Sequence, residues 1–268
     1  MKTIASVTIC KGRLHHLRQT LPLLVALGTS EVIVVDYGCP DRSGDWVEAN
    51  FPGVTVVRVT DDPGFSISRA RNIGASQASA DWLLFVDADI FAAAGWHGWM
   101  QDQLQPGNFY RRALVEGIRD SDTHGTAICA RADFAAMGGY DEVYRGWGGE
   151  DDDLYQRLIL MGVAEREYPA GFVTAIKHGD EERSGWSGLS CMKDVVDLVA
   201  CYLLAKIETM KVLGITGDLP FDLRVQYMEH TRRELTRWLS ENRSYPLRIR
   251  FELEMQDQTV GINIDLPY

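Results

Sequence analysis

The stretch Trp82-Leu-Leu-Phe-Val-Asp-Ala-Asp89 decides how the rest of the chain is read. Its first five residues, Trp82 to Val86, are mostly apolar and predict a buried strand. The strand ends in two carboxylates, Asp87 and Asp89, with only Ala88 between them. Residues i and i+2 of an extended segment point the same way, so the two acids share a side. Like charges so placed need an exposed turn or a cation. A hard divalent cation with oxygen ligands answers that need and would also bridge nucleotide phosphates. Taken alone, D-x-D is better explained by a capping Asp followed by a turn Asp.

Outward from this strand the pattern is regular. Upstream, Ile4 to Ile9, Val32 to Val35 and Val54 to Val59 read as strands. Between them lie a helix from Leu14 stopped by Gly28, a short helix Gly44 to Asn50 and a helix Phe65 to Ser76. Strands alternating with helices predict an α/β fold with parallel pairing and helices on both faces. Ligands in such folds sit at the carboxyl ends of strands, where Lys11, Arg13, Asp36 and Asp87 fall. Downstream, Ala113 to Ile118, Thr126 to Cys129, Val163 to Tyr168 and Phe172 to Ile176 read as strands. Helices are expected at Asp133 to Met137 and from Glu150 to Gly162. Lys177 to Ser190 is polar and glycine-rich and reads as a mobile loop over the site. From Cys191 an apolar stripe (Val195, Val196, Val199, Tyr202, Leu203) predicts a helix, Asp222 to Leu239 a second, and Arg248 onward an edge strand. Two regions are therefore expected, 1–190 and 191–268, the latter a helical extension with a terminal strand.

The 268 residues are long enough for a sizeable core, and their 46% hydrophobic and 24% charged content is that of a globular protein. A net charge of -11 gives no electrostatic footprint for nucleic acid. The five cysteines are scattered, without C-x-x-C, which predicts reduced thiols and a cytoplasmic compartment, with peripheral membrane association also allowed. No apolar run has the length of a transmembrane span. Trp96 and Trp99 read as core, and His15 and His16 as helix residues without a site role.

Gly146-Trp-Gly-Gly-Glu-Asp-Asp-Asp153 is the most specific stretch. Four acids at a helix start suit the helix dipole, each by about 0.3–1 kcal/mol when exposed. That alone does not explain a tryptophan among three glycines. Glycines beside the indole let it swing or lie close to a ligand. Aromatic faces pack on sugar rings, and a carboxylate beside such a ring is placed to take a hydroxyl proton.

Together these motifs resemble those of glycosyltransferases with the GT-A fold. Val34 to Asp36, Ala70-Arg-Asn-Ile-Gly74 and Val86 to Asp89 resemble family 2 glycosyltransferases, and Gly146 to Asp153 resembles the beta-1,4-galactosyltransferase motif. The resemblance runs from about Val7 to about Arg183 and implies a mixed central sheet flanked by helices. It implies Asp89 and Asp87 at a metal site completed by His178, which follows Ala175-Ile176-Lys177. Manganese is the implied ion. Alanine at 175 stands where those galactosyltransferases have a methionine ligand, so magnesium stays open. Asp151 is implied as catalytic base. Asp152, Glu150, Gly125 and Trp147 are implied on the acceptor side, and Arg13, Asp36, Arg71, Asp87 and Trp147 on the donor side. For Arg71 a fold-bracing role is equally open, and His124-Gly125 stands in place of a Gly-Gly pair.

The implied function is metal-dependent inverting transfer from a UDP-sugar to a hydroxyl of a glycan or glycoconjugate. A retaining transferase and a non-catalytic sugar-nucleotide or glycan-binding module are the alternatives. The tail beyond Ser190 has no recognised counterpart. It could be an accessory subdomain, a homodimer interface through its helices, or an acceptor platform.

Overall fold

The computed structural model describes residues 1–146, 148–177, 192–241, 245–255 and 258–266. β1 (Ile4–Cys10), α1 (Leu14–Ala26), β2 (Glu31–Asp36), α2 (Ser43–Asn50), β3 (Thr55–Arg58), α3 (Ile67–Ser76) and β4 (Trp82–Phe85) alternate as the periodicity predicts. β5 (Ile90–Ala92) and α4 (Trp96–Gln103) follow, then β6 (Asn108–Arg112), β7 (Ala127–Ala130), α5 (Arg131–Ala136), α6 (Glu150–Leu160), β8 (Ala164–Tyr168) and β9 (Val173–Ala175). The C-terminal part is α7 (Met192–Leu213), α8 (Phe221–Ser240), β10 (Leu247–Met255) and β11 (Gln258–Leu266).

Seven strands form one mixed sheet in the order β3-β2-β1-β4-β7-β6-β8. Val7 of β1 lies opposite Ile33 on one side and Phe85 on the other, both in parallel register. β7 runs antiparallel to β4, with Leu83 opposite Cys129. β4 is buried throughout, and its alternation divides the core. Trp82, Leu84 and Val86 pack with Leu17, Leu21 and Leu24 of α1 and with Trp96 and Met100 of α4. Leu83 and Phe85 face the opposite layer, with Phe134 of α5 and Leu154, Tyr155 and Leu158 of α6. Each such large apolar side chain contributes about 1.5–3 kcal/mol by leaving water. The acids that follow β4 are thereby anchored to a strand buried on both faces.

Three sequence expectations change. The strand expected at Ala113 to Ile118 lies one turn earlier, at β6. Val115 and Ile118 instead exchange backbone hydrogen bonds across a two-residue turn, whose Glu116 (φ 53°) and Gly117 (φ 79°) leave the extended region. Trp96 and Trp99 are core residues as expected, but they sit on a helix that the pattern did not suggest. The terminal strand is one arm of an antiparallel hairpin, with Ile249 opposite Ile264. Its second arm alternates Val260, Ile262, Ile264 and Leu266.

α7, α8 and the hairpin enclose their own apolar cluster around Tyr202, Tyr227, Trp238 and Phe251, which Tyr144 joins from the segment before α6. Among the described residues no helix is long and apolar enough to cross a membrane.

Candidate active site

A cavity of about 410 Å³ opens at the carboxyl ends of β1 and β4. Its wall includes Lys11, Arg13, Arg71, Asp87, Asp89, Gly125, Glu150, Asp151 and Asp152. Residues as far apart in the chain as Ile9 and Val199 meet there. Trp147, His178 and the loop expected to cover the site, 179–190, lie outside the described residues. Asp36 is not on the cavity wall. Its Oδ1 accepts from the Cys39 N–H at 2.7 Å and its Oδ2 from the Gly44 N–H at 2.7 Å, so it braces the turn after β2.

Arg71 is the hub. It projects from α3, is 2% exposed and holds three carboxylates at once. Its Nη1 donates to Asp151 Oδ1 at 2.5 Å and to Glu150 Oε1 at 3.4 Å, and its Nη2 to Asp87 Oδ1 at 2.9 Å. The guanidinium also lies 4.9 Å from the Tyr140 ring centre. Burial works against its charge, but Asp151, Tyr140, Asp87 and Glu150 outweigh burial and hold it protonated far above the ordinary arginine range. One cation facing three acids leaves this wall net negative. Burial first, and then the charge of Asp151, push the Glu150 carboxyl up to about 8 against the pull of Arg71.

Gly125 shows how tightly the groups converge. A Cβ added there would stand 2.5 Å from Arg71 Nη2, 3.0 Å from Asp151 Oδ2 and 3.1 Å from Asp87 Oδ2. Only a residue without a side chain fits where these three groups meet. At the other acid, Arg13 Nη1 donates to Asp89 Oδ2 at 3.0 Å.

A further chain of contacts holds Asp152. Its Oδ1 lies 2.9 Å from His124 Nε2, and His124 Nδ1 lies 3.1 Å from Arg111 Nη2. Arginine can only donate, so Nδ1 accepts and Nε2 carries the proton given to Asp152. Arg111 is itself stacked 3.9 Å from the Tyr155 ring centre. Burial opposes ionisation of Asp152. The hydrogen bond from His124 and the charges of Arg111 and Arg119 prevail and hold the carboxyl below its ordinary value.

α6 begins at Gly149, whose φ of 90° is open to glycine but strained for other residues. Glu150 and Asp151 in its first turn are buried and favoured by the helix dipole. A Cβ at Gly149 would stand 2.6 Å from Tyr144 Cε1 and 2.7 Å from Val199 Cβ of α7. Val196 and Val199 of α7 complete the cavity wall, together with Phe65, Ile67 and His124. The sequence marks these two valines only as part of the apolar stripe of α7, and nothing local to that helix ties them to the site. His124 was visible only as a departure from a Gly-Gly pair.

The donor chemistry suits a hard divalent cation. Asp87 and Asp89 supply carboxylate oxygens from one wall, two residues apart, and Asp87 Oδ2 faces the space above Gly125. Among the described residues, no group of three or more His, Cys, Asp or Glu side chains gathers around a single metal position.

An open α/β sheet with paired acids at a central strand end and an acidic helix start across the cavity defines the nucleotide-sugar transferase architecture known as GT-A. Residues 7–145, just over half of the chain, match the model for glycosyl transferase family 2, and the chain belongs to that family. Residues 120–179 match a second model, the N-terminal domain of galactosyltransferase. Mouse beta-1,4-galactosyltransferase 1 is 24% identical over 147 residues, which cover 49% of this chain and 35% of that protein. The match therefore spans about a third of the length of this curated relative. Among solved structures, S. aureus TarS in complex with UDP-GlcNAc superposes with a TM-score of 0.60 at 16% identity, covering 90% of this chain and 73% of that one. A mutant of Drosophila beta-1,4-galactosyltransferase 7 in complex with manganese, UDP-Gal and xylobiose gives a TM-score of 0.50 at 17% identity, covering 73% and 79%.

Proposed function

We propose that the chain transfers a sugar from a UDP-sugar to a hydroxyl of a glycan or glycoconjugate, with inversion at the anomeric carbon. The observation that carries this reading is the convergence of Asp151, Arg71 and Asp87 above Gly125, on the wall of one cavity. The family membership and the UDP-sugars bound by both structural neighbours support it.

Lys11 and Arg13, on the loop after β1, bring positive charge to the cavity for the diphosphate. Arg71 fixes the Asp151 carboxylate through Oδ1, while Oδ2 lies beside Gly125 on the cavity wall. There Asp151 accepts the acceptor hydroxyl proton. The oxygen so released forms the new bond to the anomeric carbon as the bond from that carbon to the UDP oxygen breaks. Direct displacement needs one base and no covalent intermediate. Asp152, held by His124, stands beside Asp151 as an acceptor contact. Glu150, whose carboxyl burial pushes up to about 8, can keep a proton to donate to a sugar hydroxyl. Asp87 and Asp89, with His178 as the resemblance implies, would hold a divalent cation, which when bound would neutralise charge on the diphosphate leaving group.

The test is transfer from a panel of UDP-sugars to glycan acceptors in the presence of manganese, with the product anomer read by NMR. The expected product has the anomeric configuration opposite to the donor. Retention would sink the direct displacement, and donor binding without turnover on any acceptor would indicate a binding module. EDTA should abolish transfer and manganese restore it. Full activity after thorough metal stripping would remove the metal from the reading.

A further inference from the structure

Beside the cavity lies a pair of thiols to which the proposed reaction gives no part. Cys10 ends β1 directly opposite Asp36 of β2, and Cys39 sits three residues after Asp36 in the turn that Asp36 braces. The two sulfurs are 4.0 Å apart, both residues are buried, and neither is in a disulfide. Cys39 Sγ also accepts the backbone N–H of Gly12 at 3.2 Å. Gly12 stands between Lys11 and Arg13, both on the cavity wall, and Arg13 donates to Asp89.

We propose that Cys10 and Cys39 form a reversible disulfide under peroxide, and that closing it displaces the Lys11–Arg13 loop and weakens nucleotide binding. The binding half of this proposal rests on the UDP-sugar reading above. The geometry supplies the means. Closing 4.0 Å to the roughly 2.0 Å of an S–S bond draws Cys39 toward a rigid central strand. It also takes from the Gly12 N–H the sulfur that now accepts it.

The chemistry favours Cys39 as the attacking sulfur. The hydrogen bond from Cys10 is the largest influence on it. With Ser43 and the N–H groups of Gly12 and Asp41, it outweighs burial and holds the Cys39 thiol down to about 5. The same contact, with burial, pushes the Cys10 thiol up. A thiolate beside a protonated thiol suits a two-step oxidation. The Cys39 thiolate attacks one peroxide oxygen; an S–O bond forms, the O–O bond breaks, and the departing hydroxide is protonated to water. The Cys10 sulfur then attacks the Cys39 sulfur. The S–S bond forms, the S–O bond breaks, and hydroxide leaves with the Cys10 proton as a second water. Two thiols are oxidised and one peroxide is reduced to two waters. A dithiol reductant reverses the bond by exchange.

The experiment treats the full chain carrying Cys191→Ser, which removes a competing thiol, with hydrogen peroxide. Disulfides are mapped by mass spectrometry of the unreduced digest, and affinity for UDP with manganese is measured before and after oxidation. The expected result is a Cys10–Cys39 linked peptide that dithiothreitol abolishes. Affinity should fall by about 5-fold or more on oxidation and recover on reduction. Cys39→Ser and Cys10→Ser, treated identically, should show neither linkage nor loss. Absence of the linked peptide overturns the proposal, and linkage with unchanged affinity overturns the control over binding. Should no form of the protein bind UDP, the nucleotide reading fails while the peptide map still decides the thiol pair.

Discussion

At the scale of single residues, the site is governed by one buried guanidinium. Arg71 holds Asp151, Glu150 and Asp87, so each acid has a different local balance of charge and burial. Asp151 keeps Oδ2 toward Gly125 and is the base in the proposed reaction. Asp151→Asn preserves shape but cannot take the proton. It should cost roughly 10²–10⁴-fold in turnover with UDP affinity nearly intact. Steady-state kinetics with calorimetry separate the two, and lost UDP binding with spared turnover would make Asp151 a helix residue and no more. Glu150 carries a pH signature. Its carboxyl is raised from 4.5 to about 8, so the folded protein keeps its proton where the unfolded chain has lost it. The stability this gives is full below pH 4.5 and is lost as pH rises toward about 8. Glu150→Gln cannot ionise, so its melting temperature relative to the parent should climb across that window and level off above it. A difference that stays flat with pH would show Glu150 ionised in the fold. The acids themselves were legible in the sequence because they form one local run. Arg71 was marked by its motif, but its role as hub was not, because it meets its partners 16, 79 and 80 residues away.

At the scale of elements, what was legible follows the same division between local and remote. β1, β2 and β4 were readable because a strand buried on both faces leaves a short continuous apolar run, and the helices between them because an amphipathic helix leaves a periodic trace. The hairpin turn at Glu116-Gly117 was misread because Val115 and Ile118 are apolar yet exposed, so composition there imitates a strand. α4 left little pattern because it buries only Trp96 and Met100, one turn apart. The start of α6 combines both kinds of signal. Its glycine was visible, but the neighbour that demands glycine was not, since Val199 arrives from α7. Gly149→Ala should therefore cost stability twice, through about 1–3 kcal/mol of left-handed backbone strain and through overlap with Tyr144 and Val199. Urea unfolding measures the sum. A loss under about 0.5 kcal/mol, the range of an ordinary surface substitution, would mean that the α6–α7 contact yields easily and does not fix the acidic turn.

At the scale of the whole molecule, the C-terminal elements are joined to the core around the seven-stranded sheet by buried charge. Lys206 of α7 is fully buried, and its Nζ lies 2.8 Å from Asp141, 2.7 Å from Asp153 and 2.9 Å from Asp218. Asp153 is also paired with Arg157 at 2.6 Å, both on α6, and Arg224 of α8 reaches Asp141 and Asp218. Three cations thus face three carboxylates, and the cluster begins two residues beyond Asp151. The charges of Lys206 and Arg224 overcome burial and hold the Asp141 carboxyl down to about 2. Buried pairs of this kind contribute little when intact, but losing one side is severe, typically about 3–5 kcal/mol per broken pair. This makes the boundary expected at 190/191 testable. A fragment of residues 1–190 would keep Asp141, Asp153 and Arg157 while losing Lys206, Asp218 and Arg224, and would bare Tyr144 and the face of α6 that α7 covers. That loss is comparable to the whole stability of a typical domain, about 5–15 kcal/mol. The fragment should therefore show no cooperative thermal transition by circular dichroism and should bind no UDP, whereas the full chain should melt in one step. A fragment that melts cooperatively near the full chain's temperature would establish 1–190 as a self-sufficient unit, with the buried cluster as a clasp it can do without.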